Sequence, residues 1–481
     1  MSDFFIDFHC HPSMKPYGKS FEADMTGSND SNRRRKNSIW FYDSPNLLER
    51  AIQLFTGISK FTQSDCTTLA YGNVRLVCAS LYPIEKGFFR NKLGSGVISE
   101  LVDSFITSVG ETRVDHIQNI TDYFEDVQNE YNFYRQLDGV EIKTDAGRYK
   151  YKLIGGFGDI ENYLAANPAD EKVIFIIMTI EGLHVLNSNI NEAPDSDSFL
   201  ENLRAIKTWP HAPFFVTFAH HFFNELCGHA RSLTGIVGNN TDQSVGLGTG
   251  FTQLGKNVLR ETLSDRNGKR MYIDIKHMSA QSRKEYFHIL ATDYATEKIP
   301  VIISHGAANG LRSMDEPVVD GKDTGYKLLG EDINFYDNEI LMVARTRGIM
   351  GLQLDERRIA SEATLKNTKH SVFMIKIRHY RSELLWNQVQ HVAELLDRND
   401  LFAWDCMAVG SDFDGVINPL NGFLTMETMQ HLQEYLERHA NNYMETRGKS
   451  VLRSYNQLSP SEIVNRVFST NGWQFIKTWF T

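Results

Sequence analysis

Eight short apolar segments recur along this chain and constrain its fold more strongly than any other feature. They are rich in β-branched and aromatic residues and show little polar alternation, which is typical of strands buried on both faces of a parallel sheet. Amphipathic segments of helical length lie between several of them, which indicates β-α-β units. The eight segments are FFIDF, VRLVCAS, VIFIIMT, FFVTFA, MYIDIK, PVIISH, GIMGLQL and CMAVGS.

Eight β-α units predict an α/β fold, a (β/α)8 TIM barrel, with a long insertion after the first strand and added C-terminal helices. Any one segment alone fits a buried helix equally well, so this prediction depends on all eight together. We expect a single barrel domain over residues 1–481, with the insertion at about 13–70 forming either a lid or an oligomer contact. The motif SPSE predicts a helix with Ser459 as N-cap, Pro460 first and Glu462 third.

Composition excludes several classes of protein. The hydrophobic fraction of 41% and charged fraction of 23% are those of a soluble globular chain. A net charge of -10 argues against a nucleic-acid binder, and the basic run 33–36 is interpreted as a solvated loop. No segment approaches the roughly 18 apolar residues that span a membrane, and no signal-peptide pattern opens the chain. We therefore expect a cytoplasmic protein whose cysteines are reduced thiols.

Side chains that bind metals follow most of the predicted strands. In a barrel the C-terminal ends of all strands open onto one face, where active sites are built. Imidazoles and carboxylates are ligands of zinc and related divalent metals. A lone histidine after a strand is more often an ordinary loop residue, but the coincidence at several strand ends favours a metal site. The residues are His9, His11, Glu181, His220, His221, His277, His305, Asp412 and Asp414.

Three further observations concern individual histidines and a glycine-rich segment. His9 and His11 are two residues apart, and side chains at that spacing on a strand point to the same side. His184 and His221 are left undecided between a structural role and the site. The glycines of GLGTGFTQLG do not follow a strand and lack the third spacing of a dinucleotide fingerprint. That segment is interpreted as a turn leading into the fifth helix.

Several motifs, in their order along the chain, resemble those of the renal (membrane) dipeptidase family, the M19 peptidases of the amidohydrolase superfamily. The resemblance spans nearly the whole chain and is strongest over 173–308 and 409–415. It implies a barrel that holds two divalent metal ions, zinc in that family, bridged by a glutamate. The motifs are DFHCHP, IEGLHVL, FVTFAHH, GFTQLGKNVLRE, IDIKHMS, PVIISHG and AVGSDFDGV.

The resemblance also implies roles for individual residues. Glu181 matches the bridging carboxylate, and the other metal ligands are His9, His11, His277 and His305. Asp412 matches the carboxylate beside the attacking water, and His220 matches a histidine that polarises the substrate carbonyl. Arg312 is the counterpart of an arginine that contacts substrate. One departure is His-x-His on the first strand, where family members commonly carry His-x-Asp.

A second departure is the charged loop after the seventh strand, in GLQLDERRIA. Family members carry less charged residues there. We expect Asp355 and Arg358 to bind substrate, because loops after barrel strands select substrates and a guanidinium matches a carboxylate. The alternative, that the charges form a solvated surface turn, is about as well supported by the sequence.

Together these patterns predict a metal-dependent hydrolase that cleaves a small amide, a dipeptide or an N-acyl amino acid, with a metal-activated water. The predicted partner is this small-molecule substrate, with no nucleic acid and no membrane; a homo-oligomer is left open. A metal-dependent phosphoesterase is the second hypothesis, because DFHCH also resembles the opening of such domains. Those domains use more histidines at other spacings and lack EGLH with SDFDG. A non-catalytic ligand-binding barrel is the third hypothesis.

Overall fold

The computed structural model describes residues 4–22, 34–46, 49, 59–89, 108–234, 238, 241–368 and 371–481. Parts of the predicted insertion, residues 23–33, 47–48 and 50–58, lie outside the described residues, and Arg33 of the basic run is among them. A lid or oligomer contact formed by the insertion stays a prediction. The single-domain boundary of 1–481 stays a prediction. Within the described part, no helix is both long and apolar enough to cross a membrane.

Eight parallel strands form a nearly closed barrel, which confirms the predicted fold. Their order is β1-β2-β5-β6-β7-β8-β9-β10, and each contains or overlaps one predicted apolar segment. The circle closes where Cys10 forms a parallel bridge with Phe413 and the Asp412 amide donates to the His9 carbonyl at 2.9 Å. The strands are β1 Phe5–Cys10, β2 Val74–Leu81, β3 Ile142–Thr144, β4 Gly147–Ile154, β5 Val173–Glu181, β6 Phe215–Thr217, β7 Tyr272–Asp274, β8 Ile302–Gly306, β9 Ile349–Leu352 and β10 Met407–Val409.

The hairpin of β3 and β4 was not among the predicted strands. β4 pairs with the first half of β5, from Val173 to Ile177, whereas β6 pairs with its last residues, Ile180 and Glu181. The hairpin therefore extends the sheet at the end of the barrel away from the strand C-termini. Its sequence, GRYKYKLI, alternates polar and aromatic residues and keeps one face partly exposed, unlike the continuously apolar barrel strands.

The predicted helices are present between the strands. The C-terminal one begins as expected, because the Ser459 side chain accepts from the Glu462 amide and Pro460 is its first residue. The glycine-rich segment leads into the helix at Gln253. The helices are Met14–Lys19, Cys66–Tyr71, Glu111–Asn119, Tyr123–Arg135, Phe157–Ala166, Ser196–Lys207, Gln253–Leu263, Ala280–Asp293, Asp337–Arg345, Glu356–Ile359, Glu362–Asn367, Met374–Arg398, Met429–Tyr443, Lys449–Val451, Pro460–Asn465 and Asn471–Trp479, with 3-10 turns at Lys86–Phe89, Leu183–Leu186, Gly325–Lys327, Met426–Thr428 and Ser454–Asn456, and π turns at Met444–Gly448 and Arg466–Thr470.

A layer of buried polar groups lies inside the barrel near the C-terminal strand ends. Asp274 accepts from the hydroxyls of Thr217 and Ser304, each at 2.6 Å, and so joins β6, β7 and β8. Asp7 accepts from the Ser411 amide at 2.8 Å and from its hydroxyl at 2.6 Å, which joins β1 to the residues after β10. Burial raises the pKa of Asp7 to about 6. Because every one of these buried groups is partnered, the layer fixes the strand ends relative to one another.

The end of the insertion is attached to the barrel by one buried carboxylate. Asp414 accepts from the Lys15 ammonium at 2.7 Å, and from the Ser64 amide and hydroxyl, each at 2.8 Å. The Gln63 amide also donates to it at 3.0 Å. The second aspartate of SDFDG is therefore a structural residue that holds Lys15, Gln63 and Ser64 beside the chain after β10.

We expect Asp414→Asn to lower the free energy of unfolding by about 3 kcal/mol, because a buried ammonium loses its carboxylate. Asparagine keeps the shape of the side chain and tolerates the left-handed backbone at this position, where φ is 65°. Denaturant unfolding measures the change, and Asp315→Asn, at an exposed ion pair with Lys284, is the matched control. Equal stability of the two variants would contradict a structural role for Asp414.

Candidate metal centre

Glu181, the last residue of β5, lies at the centre of a cluster of buried histidines. These histidines lie in or just after β1, β6, β7 and β8, so the parallel barrel brings their side chains to one face. Every one of them directs its Nε2 atom toward the carboxylate. The distances to the nearer carboxylate oxygen are 3.0 Å from His11, 3.3 Å from His277, 3.4 Å from His305, 3.5 Å from His9 and 3.5 Å from His220.

Asp412 follows β10 and faces the same cluster. Its Oδ1 lies 3.8 Å from the Nε2 atoms of both His9 and His11, and its Oδ2 lies 3.9 Å from Nε2 of His305. The two first-strand histidines converge as their spacing requires, with their Nε2 atoms 3.1 Å apart. Two carboxylates and several imidazoles therefore surround one small volume.

Two site residues have a left-handed backbone that side chains other than glycine rarely adopt. The φ angle is 65° at His277 and 62° at Asp412. Hydrogen bonds hold both turns: the Ala230 amide donates to the His277 carbonyl at 2.8 Å, and the Gly415 amide donates to the Asp412 carbonyl at 3.0 Å. A Cβ at Gly415 would lie 2.1 Å from the Asp412 carboxylate, so the glycine is required by this close approach. Backbone strain of this kind is found at functional sites.

His220 differs from the other histidines because a carboxylate orients it. Its Nδ1 lies 2.7 Å from Oε2 of Glu85, which also accepts from the Phe222 amide at 3.1 Å and from the Tyr82 hydroxyl at 3.2 Å. Burial favours the neutral acid, but the charge of His220 outweighs it and lowers the pKa of Glu85. The pair fixes Nδ1 of His220 as a hydrogen-bond donor and leaves Nε2 facing the cluster.

The electrostatics of the cluster favour an ionised glutamate and differ from one imidazole to another. Burial lowers the pKa of His9, His277 and His305, so their rings are neutral and each offers a nitrogen lone pair. Burial also opposes the charge of Glu181, but the surrounding imidazoles, His220 first, hold the pKa of Glu181 well below its usual range. At His11 the hydrogen bond and charge of Glu181 outweigh burial and raise the pKa to about 9.

Hydrogen bonding alone does not account for this arrangement. Oε1 of Glu181 lies within 3.3 to 3.5 Å of four imidazole Nε2 atoms. One carboxylate oxygen has about two lone-pair sites, so it cannot accept hydrogen bonds from four rings. Cations placed between these atoms would satisfy the lone pairs of the rings and the carboxylate together. The donor set, imidazole with carboxylate, therefore fits divalent metal ions of the zinc type.

The side-chain atoms that could bind metal ions also lie close enough together to share one ion. Three sets of three residues each bring one ligand atom within 4.8 Å of the others. They are His9, His11 and Asp412; His9, Glu181 and His305; and His220, His221 and His277. Nδ1 of His9, His11 and His277 has no hydrogen-bond partner within the described parts of the chain, so the polar contacts of these rings are those made by Nε2 within the cluster.

A cavity opens beside the cluster and contains part of the charged loop after β9. His277, His305 and Asp412 line it together with Asp355 and Arg358. Asp355 and Glu356 are buried, so the loop is not a solvated surface turn. The Asp355 carboxylate accepts from Arg357 at 2.7 Å and caps the short helix Glu356–Ile359, while Arg358 donates to the Ser232 carbonyl.

Arg312 is not brought to the cluster. Its side chain is 51% exposed and forms an ion pair with Glu316 at 2.9 Å. Within the described residues, no ion pair or hydrogen bond joins Arg312 to the histidines or carboxylates above. Its assignment as a substrate contact stays a prediction without support from this geometry.

His221 and His184, which the sequence leaves undecided, have different surroundings in the structure. The ring of His221 lies 3.8 Å from that of His220, and its Nδ1 lies 2.7 Å from the Ser232 hydroxyl. Burial, then the charge of His220, lowers the pKa of His221 well below its usual range. His184 instead has its Nε2 2.8 Å from the Pro83 carbonyl, outside the three ligand groups.

Three buried residues of the site were not found from the sequence. Lys276 and Gln353 line the cavity, and both follow barrel strands, so the same strand-end signal was available for them. They were passed over because a lysine and an amide are not common zinc ligands. Burial and the nearby Arg358 lower the pKa of Lys276 to about 8. Glu85 lies beyond the end of β2, and nothing in its local sequence indicates a partner near residue 220.

Comparison with known proteins agrees with this geometry. The sequence model described as membrane dipeptidase (peptidase family M19) matches residues 47–458. The matched range begins after β1, so His9 and His11 lie outside it. A search of curated proteins finds no match to the chain.

Two solved structures share the fold. One is the dipeptidase AC, a metallopeptidase of family M19, with 12% identity, a TM-score of 0.52, and coverage of 100% of this chain and 99% of that chain. The other is a metallopeptidase from Rhodobacter sphaeroides, liganded with a phosphinate mimic of the dipeptide L-Ala-D-Ala, with 13% identity and a TM-score of 0.52. That alignment covers 99% of each chain.

Proposed function

Because the chain belongs to the membrane dipeptidase family, peptidase family M19, we propose that it is a metal-dependent hydrolase of a small amide, a dipeptide or an N-acyl amino acid. The observation that carries the proposal is the Glu181 carboxylate oxygen with four imidazole Nε2 atoms at 3.3 to 3.5 Å. Hydrogen bonds cannot satisfy that arrangement, whereas divalent cations can.

The ligand groups support two metal ions, with zinc as the expected metal. Glu181 would contact both ions, because one of its oxygens faces His11 and the other faces His9, His277 and His305. His9, His11, His277 and His305 would supply the imidazole ligands. When bound, such ions make water acidic enough to attack at neutral pH and polarise a carbonyl group.

The remaining residues provide proton transfer and charge stabilisation. Asp412, beside the cluster and at the edge of the cavity, would accept the proton of the attacking water and deliver it to the leaving nitrogen. Glu85 accepts a hydrogen bond from Nδ1 of His220 and so orients the ring, whose Nε2 edge would face the carbonyl oxygen as negative charge develops there. Glu85 is thus a positioning residue.

The experiment that tests the proposal combines metal analysis with a substrate screen. Protein purified without chelator should contain close to two zinc-like ions per chain and hydrolyse dipeptides or N-acyl amino acids. Chelation should abolish the activity and added zinc should restore it. Phosphoesters belong in the same screen, and turnover of those alone would favour the phosphoesterase hypothesis. Protein that neither contains nor takes up metal would contradict the proposal.

Glu181→Gln should lower the affinity for both ions together and remove most activity, because an amide is a much weaker metal ligand than a carboxylate. Elemental analysis across a zinc titration measures this loss. Glu161→Gln, at an exposed pair with Lys477, makes the same chemical change away from the site and should behave as the parent. Loss of one ion only, with the other retained, would show that Glu181 does not bridge.

Glu85→Gln should lower kcat by roughly tenfold to a hundredfold with little change in KM, because the ring of His220 loses the carboxylate that orients it. Metal content should be unchanged. In a His220→Gln background the same substitution should cost almost nothing more, since the two residues act as one unit. Additive losses in the double variant would show that Glu85 acts through some other group.

Arg358→Ala and Asp355→Ala should each lower kcat/KM by at least roughly tenfold, about 1.4 kcal/mol, with both metal ions still bound. Arg358 presents a cation to the cavity, and Asp355 fixes the neighbouring Arg357. Steady-state kinetics on the best amide substrate measures both variants. Unchanged kinetics would show that substrate is selected elsewhere in the barrel.

A further inference from the structure

Three histidines at the edge of the Glu181 cluster form a ligand group of their own. One ligand atom from each of His220, His221 and His277 lies within 4.8 Å of the others. The ring centroids are 3.8 Å apart for His220 and His221, 4.6 Å for His220 and His277, and 5.2 Å for His221 and His277. Among the described residues, neither of the other two ligand groups includes any of these three histidines. Three imidazoles with an open fourth position are a ligand set that zinc sites in proteins use.

Two of the three rings are oriented in the way that metal ligands are. A histidine that binds a metal usually donates from its second ring nitrogen to a nearby acceptor, which fixes the ring and leaves the first nitrogen free for the ion. Nδ1 of His220 lies 2.7 Å from the Glu85 carboxylate. Nδ1 of His221 lies 2.7 Å from the Ser232 hydroxyl, to which Gln243 donates at 2.9 Å. With Nδ1 as the donor, Nε2 of each ring keeps its lone pair.

The charges around His220 favour a cation at this position. The ring lies between two buried carboxylates, with Glu85 at its Nδ1 and Glu181 at 3.5 Å from its Nε2. A positive charge placed at Nε2 is therefore close to both acids and is attracted by both. Burial holds the pKa of His221 and of His277 well below the usual range, so both rings are neutral and can bind an ion.

The group is also reached from the cavity beside the cluster. His221 and His277 line that cavity together with Asp412, which would accept the proton of the attacking water. An ion bound by these two rings would therefore lie in the space that the substrate has to enter.

We propose that His220, His221 and His277 form a third site for a divalent cation of the zinc type, and that an ion bound there inhibits hydrolysis. This site goes beyond the proposed function, which needs only the two ions around Glu181. An ion on Nε2 of His220 covers the edge of the ring that would face the substrate carbonyl.

The third site is weaker than the two-ion site for two reasons. Its three ligand residues are all histidines, whereas each of the other two groups contains an aspartate or a glutamate, whose negative charge attracts the ion. In addition, His277 lies 3.3 Å from Glu181 and would be shared with the two-ion site. The third ion therefore binds only when zinc is in excess.

Equilibrium dialysis against zinc counts the ions without turnover. The parent should bind two ions tightly and a third more weakly, and His221→Phe should bind only the first two. Ser232→Ala should keep the third ion with at least about tenfold weaker affinity, because Nδ1 of His221 loses its partner. His431→Phe removes an exposed histidine beside Glu434 and is the matched control for zinc on the surface, so it should bind as the parent does.

Inhibition by zinc tests the functional consequence. The measured quantity is the ratio of kcat/KM at excess zinc to kcat/KM at two ions per chain. For the parent it should fall roughly tenfold when free zinc is about ten times the Kd of the third ion, since only about a tenth of the third sites are then empty. For His221→Phe the ratio should stay near one. For Ser232→Ala the inhibition should move to at least about tenfold higher zinc.

The results separate this proposal from the proposed function. If the parent hydrolyses amides with two ions and binds no third, or if His221→Phe keeps the third ion, the third site is wrong and the hydrolase proposal stands. If the third ion binds and the ratio stays near one, inhibition is wrong. If the parent hydrolyses no amide, the proposed function is wrong, and dialysis still decides whether the third ion binds. Should His221→Phe fail to fold, the affinity of Ser232→Ala decides in its place.

Discussion

The site depends on one buried carboxylate that several strands must satisfy at once. An isolated ionised carboxylate in a protein interior is very costly, and Glu181 remains ionised because imidazoles from four other strand ends surround it. Residues from positions 9 to 305 reach one atom only if parallel strands end on one face. The site therefore requires the barrel fold. The site in turn explains why so many polar groups lie buried at one end of the barrel.

The strand ends are held by a second layer of buried acids beneath the cluster. Asp274 ties β6, β7 and β8 together through hydroxyl groups, and Asp7 ties β1 to Ser411 after β10. His277 and Asp412, which follow these strands, can then keep a left-handed backbone conformation, because the strand ends are held in place. The strained backbone at His277 and Asp412 therefore depends on the rigid polar layer beneath it. The layer holds the strand ends from which both turns begin, and so keeps Asp412 near the histidines.

The barrel and most of the cluster were predictable from sequence because both depend on strands that are apolar throughout and end in ligand-type residues. The β3–β4 hairpin was missed because its alternating pattern belongs to a sheet with one solvated face. Arg312 was assigned by resemblance; its side chain is exposed and paired with Glu316, and its role as a substrate contact stays a prediction. The role of Glu85 could not be predicted from the sequence. Its contact with His220 joins residues 135 positions apart, and no local sequence pattern indicates such a contact.

The two departures from the family pattern, the histidine at position 11 and the charged loop after β9, both change the net charge of the site. His11 stands where relatives commonly carry an aspartate, which removes a negative charge from the metal ligands. The loop after β9 and the residue before His277 add cations, Arg358 and Lys276, at the edge of the same volume. Metal ions bound at the cluster would add further positive charge, and Asp412 with Glu181 does not offset all of it. Any bound metal ions and these two cations would therefore act through the same electrostatic field on a molecule that enters the cavity.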